Sequence, residues 1–270
     1  MSKSLYREFY KFRHEKFTWI APLLLLIFMI AISGYISARF LAVTTCDSTD
    51  AITILLVIMG ATMFSMEFQN NAILTLLYKS RRAMAVYLNK FIIIFVYDLI
   101  LHVLAIVFTF TLAATMRPVS WLSIYQYHQP LVVNMFLTTG VDIITSMLII
   151  SIVFMISTII NSNAVVVTLS IAVVFFGEYI SSSLLANHSL LTAWVKWNPL
   201  NMTMLTHQYV YYAGYHETTL LTDPQITMGA LTYILVFFAL GYLIFRKKTF
   251  LKIQTQYYSK TVQLATEQFF

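Results

Sequence analysis

Four ionisable side chains lie within stretches otherwise suited to hydrocarbon: Asp98, His102, Asp142 and Glu178. Asp98 and His102 are four residues apart, so on a helix they share a face and can pair or pass a proton. At about 1.5 Å per residue, His102 and Glu178 lie at similar depth from the inner ends of their helices, which allows them to meet, while Asp142 lies farther out. Ionisable groups at such depth are costly unless paired, hydrated or neutralised, and each raises a functional hypothesis. Two readings are open: a polar transport path or proton relay, and a set of interhelical hydrogen bonds that fixes packing. Other chemistries lack their residues. There is no G-x-x-x-x-G-K-[ST] to cradle a phosphate, and His102 is followed by "HVLAI" where a metalloprotease needs H-E-x-x-H. Ser181–Ser183 lacks a G-x-S-x-G setting and reads as the polar end of a span. One cysteine, Cys46, excludes an internal disulfide framework and a multi-cysteine metal site; it is expected at an outer membrane edge as a small apolar residue. No catalytic residue, metal ligand or bound cofactor is assigned to the chain.

The elements that must position these groups are membrane helices. The chain has 270 residues, 59% hydrophobic and 10% charged, with a mean hydropathy of +0.77. A soluble exterior needs more charge than that. The expected fold is an all-α integral membrane protein, one transmembrane domain over 1–270. Six spans are predicted near 18–43, 50–66, 91–115, 132–160, 164–186 and 226–245, each near the roughly 20 helical residues that cross a bilayer. "NSNA" (Asn161–Ala164) makes the fourth and fifth spans a tight helical hairpin.

Charge distribution sets the orientation. Lys3, Arg7, Lys11, Arg13, Lys16, Lys79, Arg81, Arg82, Lys90, Arg246, Lys247, Lys248, Lys252 and Lys260 flank one set of span ends; Arg39, Arg117 and Lys196 flank the other. This asymmetry places both termini in the cytoplasm. The formal charge of +6 is therefore read as topology and contact with anionic lipid, with no nucleic-acid partner. The amino-terminal segment contains acids and lacks a cleavable signal's basic start and short apolar core, so it is expected to remain.

"SLYREFYKFRHEKFTW" is amphipathic at helical period, with Leu5, Phe9 and Phe12 on one stripe and Arg7, Lys11 and His14 elsewhere. Residues 1–17 are predicted to form an elbow helix in the headgroup plane. Two outer loops, 116–130 and 187–225, are rich in Trp and Tyr, which favour the membrane boundary. The longer is expected to form short helices resting on the outer leaflet, or a cap that contacts substrate.

Between spans two and three lies a polar island, "MEFQNNAILTLLYKSRRAMAVYLNK" (Met66–Lys90). In a helix starting near Glu67, Phe68, Ala72, Ile73, Leu76 and Leu77 cover about half the circumference, and Glu67, Asn70, Asn71 and Thr75 most of the rest. "KSRR" then complements the carboxyl-terminal dipole. The order Glu67, "AILTLL", Ser80-Arg81 and Lys90 resembles the membrane permeases of type-2 ABC transporters, particularly six-span bacterial exporters. Their spans two and three are joined by a cytoplasmic helix with an acidic start, paired leucines, a Ser-Arg and a later Lys. The elbow helix and the long loop between spans five and six also resemble that family. The chain departs from it at Asn71-Ala72, where Gly-Thr is frequent, and at Tyr78-Lys79, where a Pro often precedes the Ser-Arg.

The resemblance implies a coupling helix over 67–82 that docks on a separate ATPase through Glu67, Asn70, Asn71, Leu76, Leu77, Ser80 and Arg81. It implies two ATPase copies carrying ATP and Mg, and a second permease copy or paralogue. It also implies a bacterial cytoplasmic membrane and a hydrophobic or amphipathic cargo such as an antimicrobial peptide, lipid or drug. Power supplied from outside the membrane favours packing as the role of the buried acids. The alternatives are a free-standing proton-coupled secondary transporter using Asp98, His102 and Glu178, and a small intramembrane enzyme with His102 as base.

Overall fold

The computed structural model describes residues 2–69, 83–186 and 192–267. Its long elements are α1 (Ser2–His14), α2 (Lys16–Ser33), α4 (Ser48–Gln69), α5 (Ala83–Thr115), α6 (Leu131–Ile159), α7 (Asn163–Ala186) and α12 (Asp223–Glu267). Shorter helices are α3 (Ala38–Val43), α8 (Thr192–Val195), α9 (Pro199–Met202), α10 (Leu205–Val210) and α11 (Tyr212–Thr219). Among the described residues there is no strand, and one isolated bridge joins Ile124 to Pro130. Among the described residues, six segments are long and apolar enough to cross a membrane: Lys16–Ser33, Ala38–Phe64, Ala83–Thr115, Leu131–Ile159, Asn163–Ala186 and Asp223–Lys248. This is a helical multi-pass membrane architecture.

The first span is shorter than its apolar run. A helix is predicted over 18–43, but α2 ends at Ser33, with Gly34 closing it. The linking "GYIS" (34–37) carries no charge, so the uncharged run continues to Arg39 across the break. The chain then re-enters the protein as α3, where Leu41, Ala42 and Val43 are buried between α5 and α6. Thr45, Cys46 and Asp47 follow in the left-handed region, with φ of 48°, 57° and 55°. None is glycine, so the turn is strained. Local bonds oppose that cost: Cys46 N–H donates to Leu41 O at 2.7 Å, and the Thr45 and Ser48 hydroxyls lie 2.7 Å apart. Cys46 is buried with Sγ 3.8 Å from the Thr109 hydroxyl.

α6 is the axle of the bundle, the most enclosed of the six spans. Its buried face includes Thr139, Thr145, Ser146, Ser151, Ser157 and Thr158. Small residues of this kind let membrane helices approach closely. Several return their hydroxyl to their own helix, as Ser151 to Leu148 O and Ser157 to Val153 O, both at 2.7 Å. α12 makes its most extensive contact with α6. At Gly241 the approach leaves no space for a side chain: a Cβ would overlap the Tyr87 hydroxyl and sit 3.2 Å from Met155 Cα. Tyr87 is itself fixed by Phe64, Phe154, Phe238 and Phe245.

The two ends of the bundle are distinct. One gathers α1, the ends of α4 and α6, and the starts of α5 and α7: Lys248 Nζ donates to Thr158 O at 2.8 Å, and Asn163 Nδ2 donates to Thr62 Oγ1 at 3.3 Å. The other gathers the 116–130 loop and α8 to α11. There Gln126 Nε2 donates to Val210 O at 2.6 Å and Tyr127 OH to Tyr209 O at 2.9 Å.

Gly241→Ala is expected to destabilise the purified chain by about 1–3 kcal/mol through overpacking. Gly140→Ala, whose added methyl meets nothing within 4 Å, should be neutral or slightly stabilising. Thermal unfolding of both variants in detergent checks this.

Candidate functional site

α5 carries Asp98 and His102 on its buried face, and α6 brings Asp142 and Ser146 against them. His102 Nδ1 lies 3.0 Å from Asp98 Oδ1 and 3.0 Å from the Asp98 main-chain oxygen. The main-chain oxygen has hydrogen-bond alignment; Oδ1 is close in charge but lacks an aligned hydrogen. A carbonyl oxygen cannot donate, so Nδ1 carries the hydrogen. Asp98 Oδ2 accepts from the Ser146 hydroxyl at 2.8 Å.

Asp142 is fully buried and within Coulombic reach of His102. The Thr49 and Thr206 hydroxyls lie beside its carboxyl, yet neither oxygen has a partner in hydrogen-bond geometry, and nor does His102 Nε2. Thr145 and Thr206 join hydroxyls at 2.9 Å. A buried imidazole nitrogen and a buried carboxyl with open valences can exchange one proton or hold a bridging water. Among the described residues no group of three or more His, Cys, Asp and Glu is arranged to hold a metal.

Glu178 belongs elsewhere. Depth allowed it to meet His102, but α7 packs on α4, α6 and the outer helices, and Glu178 pairs with His207 of α10 at 2.6 Å. Equal depth says nothing about which face of the bundle a helix occupies. The hydrogen bond that His207 Nδ1–H donates to Glu178 is the main reason the His207 pKa is pushed up to about 9, against burial, which lowers it; the Glu178, Asp50 and Asp47 charges add to the rise. His207 also stacks on Tyr215, with centroids 5.5 Å apart.

The loop between spans five and six forms short helices, as expected, but they do not simply rest on a leaflet. α9 and α10 pack into the bundle, burying Asn201, Met202, Leu205, Thr206 and Gln208. Asn198 caps α9, accepting from Asn201 N–H at 2.9 Å, with Pro199 in the first turn. That Asn-Pro pair is a readable helix start. Asn201 Nδ2 donates to Lys196 O and Thr219 O, and Gln208 Nε2 to Leu221 O and Asp223 Oδ1.

A second buried constellation escaped the sequence reading. Lys90 Nζ is 3.0 Å from Glu8 Oε2 and donates to Met63 O at 3.0 Å. Lys90 is 1% and Glu8 3% exposed, which makes this a desolvated ion pair. Asn89 Nδ2 donates to Ser4 Oγ at 3.1 Å beside it. Burial, the largest single influence, would raise the Glu8 pKa, but the Lys90 and Lys11 ammoniums together outweigh it and hold the carboxyl below its usual value. The signal was present: Glu8 lies on the same helical face as Leu5 and Phe12, where only a counter-charge accounts for an acid. α1 thus docks through its acid as well as its aromatics.

Of the coupling positions, Asn70, Asn71, Leu76, Leu77, Ser80 and Arg81 lie outside the described residues. The backbone at Glu67 is helical and continuous with α4, which runs to Gln69. No protein-family model matches the chain, and a search of curated proteins finds no match.

Lys90→Met leaves the buried Glu8 with only its longer contact to the half-exposed Lys11, at 3.5 Å, and is expected to cost about 3 kcal/mol, whereas Glu8→Leu/Lys90→Met should recover most of the loss. Unfolding of the three forms in detergent measures it. For His207, a folded pKa of about 9 against an ordinary 6.5 means that its pairing stabilises fully below the lower value and is lost as pH rises through the higher one. Melting temperature should therefore fall across that window, and the fall should be smaller in His207→Asn.

Proposed function

We propose that this chain is the membrane-spanning permease subunit of an ATP-driven exporter of the type-2 ABC kind. In this reading it lies in a bacterial cytoplasmic membrane with both termini cytoplasmic, beside a second permease copy or paralogue. Two ATPase subunits holding ATP and Mg dock on residues 67–82. The chain itself is not catalytic, and its cargo is hydrophobic or amphipathic: an antimicrobial peptide, a lipid or a drug.

The observation that supports this best is the position of Lys90. It closes the polar island of the sequence, and its ammonium joins three elements: Glu8 of α1, Met63 O of α4 and its own helix α5. A push on the segment between α4 and α5 would reach all three together. Closure of the ATPases would thereby rock a packed unit against its partner, giving alternating access by rigid-body motion.

A second reading rests on a different observation. The partnerless His102 Nε2 and Asp142 carboxyl suit a proton-coupled secondary transporter. In that reading Asp142 replaces Glu178 beside Asp98 and His102.

Affinity purification from the native membrane should bring down a stoichiometric ATP-binding subunit. Glu67→Ala/Arg81→Ala should weaken that association about tenfold or more, the effect of losing about 1.4 kcal/mol, and should abolish transport-coupled hydrolysis. Unchanged association and coupling would remove the proposed docking role. Purification without an ATPase, together with uptake driven by a proton gradient and lost in Asp142→Asn, would favour the second reading.

A further inference from the structure

α1, α2 and α5 enclose a cleft of about 740 Å³. Its lining includes Phe9, Phe12, Trp19, Ile93, Tyr97 and Ile100. Its lining on α5 runs from Ile92 to Leu104, about 18 Å of helix, more than half the roughly 30 Å hydrocarbon thickness. Phe12, Ile93 and Tyr97 are buried at its base, while Phe9, Trp19, Val96 and Ile100 remain exposed at its mouth.

Three polar groups of the lining are already engaged within the protein, leaving the exposed Tyr6 hydroxyl at the rim. Tyr97 OH donates to Thr18 O at 2.7 Å, Thr18 Oγ1 to Phe12 O at 2.7 Å, and Trp19 Nε1 to Arg13 O at 2.9 Å. They leave an apolar trough. The one charged residue in its lining is Arg13. Among the described residues the Arg13 guanidinium has no ion pair or side-chain hydrogen bond, and Glu15, two positions on, does not pair with it. An exposed guanidinium beside an apolar trough calls for an amphiphile with one anionic group and a long apolar tail.

We propose that this cleft binds one anionic phospholipid, its phosphate on Arg13 and an acyl chain along α5 towards Leu104. Two arguments favour lipid over a second copy of the chain. The exposed mouth lies on the outer surface of two spans, where bilayer lipid is the ordinary neighbour. The lining charge is positive, and the nearest acid of α1, Glu8, is already held by Lys90. A like surface from a second copy would bring Arg13 against Arg13. The site goes beyond the exporter reading and holds whatever drives transport. Its role would be to fill the space behind α1 and keep the elbow helix against α5.

The test uses the full chain in nanodiscs of phosphatidylcholine containing one-fifth phosphatidylglycerol, transferred to detergent and weighed by native mass spectrometry. Wild type should retain one phosphatidylglycerol per chain. Arg13→Ala should lower that retention roughly fivefold, the effect of about 1 kcal/mol per basic residue near a membrane surface. Val96→Trp, which fills the mouth from a lipid-facing position, should abolish retention of either lipid. Arg39→Ala, an exposed cation elsewhere, should behave as wild type. Unchanged retention in Arg13→Ala, an equal loss in Arg39→Ala, or a dimer cross-linked through Phe9 with no bound lipid would each overturn the proposal.

Discussion

A charge in hydrocarbon must find its partner inside the protein, because the bilayer supplies no water to replace it. The ion pair between Lys90 and Glu8 answers that constraint at one end of the bundle. Both partners are almost wholly enclosed, and Lys90 also uses Met63 O, so three of the chain's elements share one desolvated contact. The position of α1 therefore depends on more than its apolar face. A helix held by aromatics alone could slide in the interface; one whose acid must reach a buried ammonium has a defined register against α5.

The same constraint shapes α6. Its Ser and Thr residues are buried among neighbouring helices, yet hydroxyls such as those of Ser151, Ser157 and Thr139 bond to carbonyls of their own helix. They provide small contact surfaces without requiring partners across the interface. Asp98, His102 and Asp142 are the exception. Asp98 is supported by Ser146 and its neighbour His102, whereas Asp142 and His102 Nε2 keep unused hydrogen-bonding capacity. A group that served packing alone would gain from closing those bonds, and replacement by apolar residues is often tolerated at such sites. The Asp142 carboxyl and His102 Nε2 are thus the buried polar atoms on which the proton-coupled reading rests.

Much of the architecture was legible because hydropathy is a local property. The fourth and fifth predicted spans match their helices to within a residue, Leu131–Ile159 and Asn163–Ala186, and the second, third and sixth fall inside longer helices. What escaped was whatever depends on direction. The break after Ser33 passes through Gly34 to Ser37 without a charge to mark it, and the turn at Thr45–Asp47 uses left-handed backbone in residues that do not advertise it. The partner of Glu178 was missed for a related reason: depth along a helix can be counted, but the helix's place around the bundle cannot. The outer loop was read from its Trp and Tyr content, which speaks of an interface. The buried polar residues Asn201 and Gln208, which draw it into the bundle, speak of a core.

The ends of the bundle differ in stiffness, and that difference bears on how either functional reading would work. At the loop end, short amide side chains grip backbone oxygens directly: Asn201 holds Lys196 O and Thr219 O, and Gln126 holds Val210 O. Such bonds tolerate little displacement, so α9 to α11 cap the spans beneath as one piece. At the opposite end the links include long lysine stems, Lys90 to Glu8 and Lys248 to Thr158 O. A four-carbon stem can swing while its ammonium keeps an acceptor. Lys90, however, is enclosed and binds α1, α4 and α5 into one unit, so movement at this end, from which residues 70–82 continue, falls between packed units and not within that one. Force applied there would tilt helices about a stiff cap, and Asp142, with Thr206 of the cap beside it, would lie near the pivot. The polar cluster would then be among the places where tilting changes hydrogen bonding first.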